Sequence, residues 1–423
     1  MTDSGQTPPT ALEVGNLKIP AAPPLIRHFW AILSLLLLFC ALWKIPTLAL
    51  SHQEPDERIY WQLANSLLTT GHYTLQGSDI LPYLSPNIYD RPVFCHPPLF
   101  AALLTPFAYL KTQSFAVVVS WLGHFLCILS VALIGRRMVP NPFPATGRNQ
   151  LFFWLPVIGM TLDPFLIFLG RKLWIDGLLA GLCATSMAFF FCARYSPRRT
   201  IYLIAGGALF GLAGLAKLPA LALGPVILFL ILTPENAKRR PVRDLCLGFL
   251  PALVVMLPWF ILFYRTYGVL IPGWTKPDDW TMQRYPMVRA AVERTPLYYL
   301  GRLAALQPVI LPCLVLYMVR PALCKKAASA LPLFWFLIIF LAISYVGLAG
   351  QGFQMRFLAP LFPAIYLMVY VLMSGWGDSG RETWAMLILL VFIFAGINGS
   401  LYLVLPQFDE IRLPFALWNW SAL

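Results

Sequence analysis

The chain has 423 residues, 59% of them hydrophobic and only 12% charged, with a net charge of +13. A soluble domain coats its surface with about a quarter charged residues, so this composition excludes a soluble globular protein and makes lipid the main solvent. The positive charge is dispersed in short clusters between apolar runs, which argues against nucleic acid as a partner and for loops that fix membrane topology. Most of the eight cysteines fall inside or at the ends of apolar runs, with only Cys95 in a clearly polar stretch, so a disulfide framework is not expected.

In chain order, residues 1–25, with Pro8, Pro9, Pro20, Pro23 and Pro24, read as a mobile cytoplasmic tail. The apolar run after Arg27 is too long for a signal-peptide core and lacks a clear cleavage site, so it reads as a retained first span. A helical span needs roughly 20 apolar residues. Eleven are expected, at 26–50, 114–135, 151–169, 176–193, 200–216, 218–233, 245–264, 297–319, 331–349, 357–375 and 384–405. The segment 97–110 is too short to cross and reads as an interfacial or re-entrant helix. The expected architecture is therefore an all-α, polytopic integral membrane protein. Residues 26–405 form one transmembrane unit, interfacial helices sit in the first outer loop, and 406–423 form an outer tail. No internal repeat is visible, which weakens a transporter built from duplicated halves.

With the N-terminus inside, every short inner loop is basic: Arg136, Arg137 and Arg148; Arg194, Arg198 and Arg199; Lys238, Arg239, Arg240 and Arg243; Arg320, Lys325 and Lys326; then Arg381. This orientation sends most of the 18 acidic residues to the outer face. Two long outer segments, 51–113 and 265–296, hold most of them. Loops of that length are functional or disordered, and Tyr60, Trp61, Tyr73, Trp274 and Trp280 argue against disorder.

Four constellations could carry chemistry. In Glu54-Pro55-Asp56-Glu57, Pro55 suits a first helical position, and Ile59, Leu63 and Leu67 recur at four-residue spacing up to Gly71. That is a helix lying on the membrane surface with Asp56 and Glu57 in its first turn. A carboxylate there could take a proton from a hydroxyl or bind a divalent cation; acidic residues also simply prefer a first turn. In the same loop, Arg91-Pro92 and His96-Pro97-Pro98 could hold a phosphate, or be proline-rich punctuation. Arg171, Lys172 and Asp176 make a tight outer turn, with Asp163 just below it. Ionisable residues inside a membrane are costly and usually functional; Asp176 can also be a helix starter, and Asp163 can merely accompany a kink before Pro164. Lys217, after Gly211-Leu212-Ala213-Gly214-Leu215-Ala216, either snorkels or faces a cavity. Arg265 and Arg356 also lie at outer span ends, against the positive-inside trend, and suggest anionic ligand groups there.

The order of these features resembles the membrane glycosyltransferases of superfamily C. The likeness is to the branch of protein O-mannosyltransferases and lipid A aminoarabinose transferases, and it covers roughly residues 26–375. It rests on the outer Asp56-Glu57, the Gly71-His72-Tyr73 end of the surface helix, His96-Pro97-Pro98-Leu99, Asp176, the Gly211–Lys217 stretch and Arg356-Phe357-Leu358-Ala359-Pro360. The resemblance implies transfer of a sugar from a polyprenyl-phosphate carrier to an acceptor hydroxyl on the non-cytoplasmic face, with the catalytic carboxylate at Asp56. Aminoarabinose transferases tend to carry Lys-Pro where this chain has His96-Pro97.

On this reading Asp56, Glu57 and Asp176 are the catalytic candidates. Arg91, His96, Arg171, Lys172, Lys217, Arg265 and Arg356 are candidates for the donor phosphate, and Glu54, Tyr60 and Asp163 for the acceptor or sugar. No cofactor is required by the pattern, a divalent cation is compatible with it, and metal ligands are not assigned. The expected partners are a polyprenyl-phosphate sugar, a lipid or glycan acceptor and the lipids of a bacterial inner membrane. A single inverting displacement needs one base and no second nucleophilic carboxylate. A flippase of lipid-linked sugars, or a polymerase or ligase using a lipid pyrophosphate, are the competing classes; the first needs an inner gate, and the inner loops are short and almost purely basic. Single-cysteine variants in a cysteine-depleted background are expected to label Lys238–Arg243 from the cytoplasm and 265–296 from outside. Labelling of both from one side would overturn this topology.

Overall fold

The computed structural model describes residues 13–14, 17–18, 28–50, 52, 54–85, 89–138, 147–233, 240–270, 281, 283, 286–325, 327–375 and 387–393. Apart from a two-residue ribbon, Glu13–Val14 against Leu17–Lys18, the regular structure is helical. The chain is an all-α, multi-pass membrane protein. The described residues contain eight helices long and apolar enough to cross a bilayer: Phe29–Ala49, Gln113–Met138, Phe153–Gly170, Ile175–Ala193, Arg199–Ala216, Pro241–Tyr267, Ala328–Gly350 and Met355–Met373.

The expected count of eleven spans differs from this for local reasons. The stretch 297–319 is two helices, Pro296–Leu306 and Ile310–Val319. Pro308 disfavours helical backbone at the residue before it, and Gln307 duly has φ −140° and ψ 75°. The stretch 218–233 starts as a 3₁₀ turn, Leu218–Leu223, and becomes α-helical only over Gly224–Leu232. Most of 384–405, like the two terminal tails and the core of 265–296, lies outside the described residues. The segment 97–110 is a short helix, Leu99–Tyr109, as expected for a non-spanning element.

The surface helix Pro55–Thr70 follows the sequence signals closely. Glu54 is its N-cap, Pro55 its first residue, and Gly71 ends it in the left-handed region at φ 72°. The Glu57 carboxylate, three residues in, accepts the Glu54 backbone N–H at 3.1 Å. Its apolar face, Ile59 and Leu63, is buried, and the helix packs against Leu99–Tyr109.

Ile175–Ala193 is the central span and is almost wholly buried. It packs against Val118–Met138 on one side and Arg199–Ala216 on the other, and the latter packs against Pro241–Tyr267. Burial of apolar area drives little association inside lipid, so close backbone approach carries the packing. A Cβ on Gly123 would strike the Gly177 carbonyl, and one on Gly181 would strike the Gly123 carbonyl. Gly207 and Gly211 meet Gly248 and Ala252 in the same way across the next interface. Pro241–Tyr267 turns Val242, Leu250, Leu253, Val254 and Leu257 outward to lipid.

Overpacking a well-packed core typically costs about 1–3 kcal/mol. Gly123→Val is therefore expected to lower the thermal midpoint in detergent. Gly224→Ala, whose new methyl would meet nothing within 4 Å, is expected to leave it unchanged. Equal midpoints for the two variants would show that the small-residue contact is not tight.

Candidate active site

Four charged residues far apart in sequence meet at one point. Asp56 stands in the first turn of the surface helix, and Asp176 in the first turn of the central span. Lys217 caps the end of Arg199–Ala216, where the backbone becomes extended. Arg356 comes from the 3₁₀ turn Met355–Leu361. The Arg356 Nη1 donates to Asp56 Oδ2 in an ion pair. Lys217 Nζ donates to Asp176 Oδ1 at 2.9 Å. Arg356 Nε donates to Gln354 Oε1 at 2.8 Å and lies 3.9 Å from Asp176 Oδ2, an oxygen that accepts no hydrogen bond among the described residues.

Aromatic rings wall the cluster. The Arg356 guanidinium carbon lies 5.2 Å from the Trp174 ring centroid and 5.7 Å from that of Phe357, and Lys217 Nζ lies 4.3 Å from Phe357. Rings within about 6 Å of a cation attract it through their quadrupole. Beside the four charges, the Tyr60 hydroxyl and His96 Nδ1 are 3.2 Å apart.

The electrostatics follow from this arrangement. Burial pushes the Asp56 carboxyl up, but the charge and hydrogen bond of Arg356, with Lys217 and His96 beyond it, more than offset that and hold it below the usual carboxylate range. Burial, reinforced by Lys217, lowers His96 to about 4, so its imidazole is neutral at physiological pH. Burial raises the Tyr60 phenol, and the Asp56 and Asp176 charges push it further. Two carboxylates and two cations therefore balance around a neutral imidazole and phenol.

The other expected site residues make their polar contacts outside these four charges, although Lys172 shares the Trp174 ring with Arg356. Glu57 is buried with both carboxylate oxygens engaged. Oε1 accepts the Leu173 N–H at 2.9 Å and meets His52 Nδ1 at 2.9 Å, while Oε2 accepts the Glu54 N–H. It fastens the surface helix to the turn that precedes Asp176, and these contacts occupy a carboxylate expected among the catalytic candidates. Glu54 pairs with Lys172, whose ammonium also lies 5.6 Å from the Trp174 ring centroid. Arg171 is buried over Phe168. Arg91 stacks at 6.0 Å on Tyr267, and that tyrosine donates its hydroxyl to the Val93 carbonyl at 2.5 Å. Arg265 is exposed at the end of Pro241–Tyr267.

Asp163 belongs to a separate buried network. It caps the helix Pro164–Gly170, accepting the Leu166 N–H at 2.8 Å, the Gln307 amide at 2.6 Å and the Tyr366 hydroxyl at 2.7 Å. Lys44, buried nearby, donates to the Leu166 carbonyl at 3.3 Å. Among the described residues no group of three or more His, Cys, Asp and Glu side chains converges as a metal site. Sequence reasoning gave no role to Gln354, which carries no motif, nor to the stacking faces of Trp174 and Phe357. The only advance signal for the latter two was their adjacency to Asp176 and Arg356.

No family model matches the chain, and no curated protein sequence matches it significantly. Solved structures do. ArnT from Cupriavidus metallidurans in the apo state superposes with TM-score 0.61 at 18% identity, over 92% of this chain and 67% of that one. ArnT of the same organism bound to undecaprenyl phosphate superposes with TM-score 0.58 at 16% identity, over 89% and 73%. The archaeal oligosaccharyltransferase AglB from Archaeoglobus fulgidus, in complex with an inhibitory peptide and a dolichol-phosphate, gives TM-score 0.48 at 12% identity, over 88% and 56%. The chain thus shares the fold of the ArnT structures.

The pKa of His96 also sets a stability expectation. A folded-state pKa of about 4 against an ordinary 6.5 means the unfolded chain binds the proton first as pH falls. His96 therefore costs stability progressively from pH 6.5 down to about 4 and nothing above that window. Thermal midpoints measured across pH 4–8 are expected to fall on the acid side in the wild type and less steeply in His96→Asn. Parallel curves would contradict the neutral, buried imidazole.

Proposed function

We propose that the chain transfers a sugar from a polyprenyl-phosphate-linked donor to the hydroxyl of a lipid or glycan acceptor, at the non-cytoplasmic face of a bacterial inner membrane. The observation that carries this reading is the meeting of Asp56 with Arg356 and Lys217 at the start of a surface helix, within a fold that ArnT also has. A carboxylate supplies the proton acceptor, and the two cations suit a phosphate anchored at the membrane surface. The undecaprenyl phosphate bound by ArnT supports this class of carrier.

In the proposed step the acceptor oxygen attacks the anomeric carbon while its proton passes to Asp56. The bond from that carbon to the phosphate oxygen breaks, and the phosphate leaves with the electron pair. Arg356 and Lys217 stabilise the charge that develops on it, the kind of electrostatic support that often dominates such reactions. One displacement inverts the anomeric centre. Tyr60 and the neutral His96, adjacent to Asp56, offer hydroxyl and imidazole groups to the sugar. Glu57 holds the surface helix in place.

Asp56→Asn keeps the shape of the side chain but cannot take up the proton. General-base catalysis typically contributes about 10²–10⁴ in rate, so transfer in lipid is expected to fall by at least that factor while donor binding and expression persist. Turnover within a few-fold of wild type would exclude Asp56 as the base.

A further inference from the structure

Asp176 is buried, and its two oxygens are used unequally. Oδ1 takes the Lys217 ammonium at 2.9 Å, whereas among the described residues Oδ2 accepts no hydrogen bond and faces Arg356 Nε at 3.9 Å. A buried carboxylate oxygen left without a donor carries a desolvation penalty that any approaching N–H relieves. A guanidinium has five N–H groups. Two of those on Arg356 are engaged, one with Asp56 through Nη1 and one with Gln354 through Nε at 2.8 Å. A displacement of roughly 1 Å would bring the group into ordinary hydrogen-bond range of Asp176 Oδ2. The Trp174 and Phe357 rings, 5.2 and 5.7 Å from its carbon, present apolar faces that do not fix one position along the way. Arg356 therefore stands between two carboxylates, hydrogen-bonded to Asp56 and within ion-pair range of Asp176.

We infer that Asp176 is a positioning residue that acts through Arg356: its Oδ2 is the second seat, onto which the guanidinium shifts from Asp56 when the phosphate of a lipid-linked donor enters. This rests on the proposed function, and it names what controls the base. The groups facing Asp56 are Arg356, Lys217, His96 and Tyr60. Of these, Arg356 alone among the described residues is hydrogen-bonded to its carboxylate. While the pair holds, Asp56 is a weak proton acceptor. Phosphate attracts the guanidinium, the shifted group binds phosphate and Asp176 together, and Asp56 is left ionised and unpaired to receive the acceptor's proton. A ligand moves such an equilibrium only through its preference for one state, and here the preference is the phosphate's contact with the displaced guanidinium.

The test uses the full chain in lipid with undecaprenyl phosphate alone, so no transfer is needed. The Asp56 titration is isolated by infrared difference against Asp56→Asn, with and without the lipid phosphate, and lipid binding is measured on the same samples. In wild type the apparent pKa of Asp56 is expected to rise by at least one unit on binding, a tenfold gain in proton affinity. In Asp176→Asn, which removes the charged second seat, less than a third of that shift should remain. Plain repulsion by the phosphate would raise the pKa equally in both proteins, so equal shifts overturn the inference. Binding with no shift in wild type overturns it too while leaving the proposed donor intact, whereas no binding overturns both. Should Asp176→Asn fail to fold, a structure of the wild type with undecaprenyl phosphate decides. An Arg356 nitrogen within hydrogen-bond distance of Asp176 Oδ2 and none on Asp56 supports the shift; Arg356 still on Asp56 rejects it.

Discussion

A carboxylate at the edge of a lipid-bounded bundle stays ionised only if a cation comes to it, and Arg356 meets that need for Asp56 across 300 residues of sequence. The pair joins the surface helix after the first span to the turn that opens the last described span. Asp176 and Lys217 close the figure from two further elements. Breaking such a pair by removing one member typically costs about 3–5 kcal/mol when it is fully buried, and less where water reaches it as it does here. This end of the molecule is arranged around that compensation. Glu57 stitches the surface helix to the Leu173 N–H, Lys172 holds the same helix through Glu54, and the Phe353 N–H donates to the Ala291 carbonyl at 2.7 Å close to Arg356 in sequence.

The cluster needs a rigid support, and the central span supplies it. Ile175–Ala193 can carry Asp176 at a fixed height because its glycine contacts with Val118–Met138 leave no room for the helices to slide apart. Below the cluster, Asp163 serves a different end. Its partners Leu166, Gln307 and Tyr366 satisfy a break in one span and bridge it to the break at Gln307 and to the span Met355–Met373. Two buried aspartates thus do different work. Asp163 has its hydrogen bonds completed by neutral groups within the protein, and Asp176 has one oxygen unused.

The sequence made the class of molecule readable, because apolar runs and basic loops report lipid directly. It also made Asp56, Asp176, Lys217 and Arg356 readable, since charges at the outer ends of apolar helices are expensive enough to require an explanation. Spacing alone did not separate Asp56 from Glu57, and only the resemblance favoured Asp56. Both occupy the same first turn, and they differ only in which side of the docked helix each faces, a tertiary property. For the same reason Arg265, also at an outer span end, could not be told from Arg356: one faces outward and the other inward. The split at Gln307 was written in Pro308, but its apolar flanks masked it. Gln354 left no trace, because a glutamine that orients an arginine two residues away has no distinguishing pattern.

Under the proposed reading, the charge balance of the cluster bears on its direction of work. At rest two carboxylates and two cations cancel, with His96 neutral, so no net field opposes the approach of an anionic carrier. During transfer Asp56 gains a proton and loses its charge, while the leaving phosphate gains one. A negative charge is thus moved from the base to the carrier, toward Arg356 and Lys217. Cations fixed in a partly buried site stabilise that movement more than solvent alone would. The same two side chains that keep Asp56 ionised before the reaction then hold the charge that Asp56 has given up.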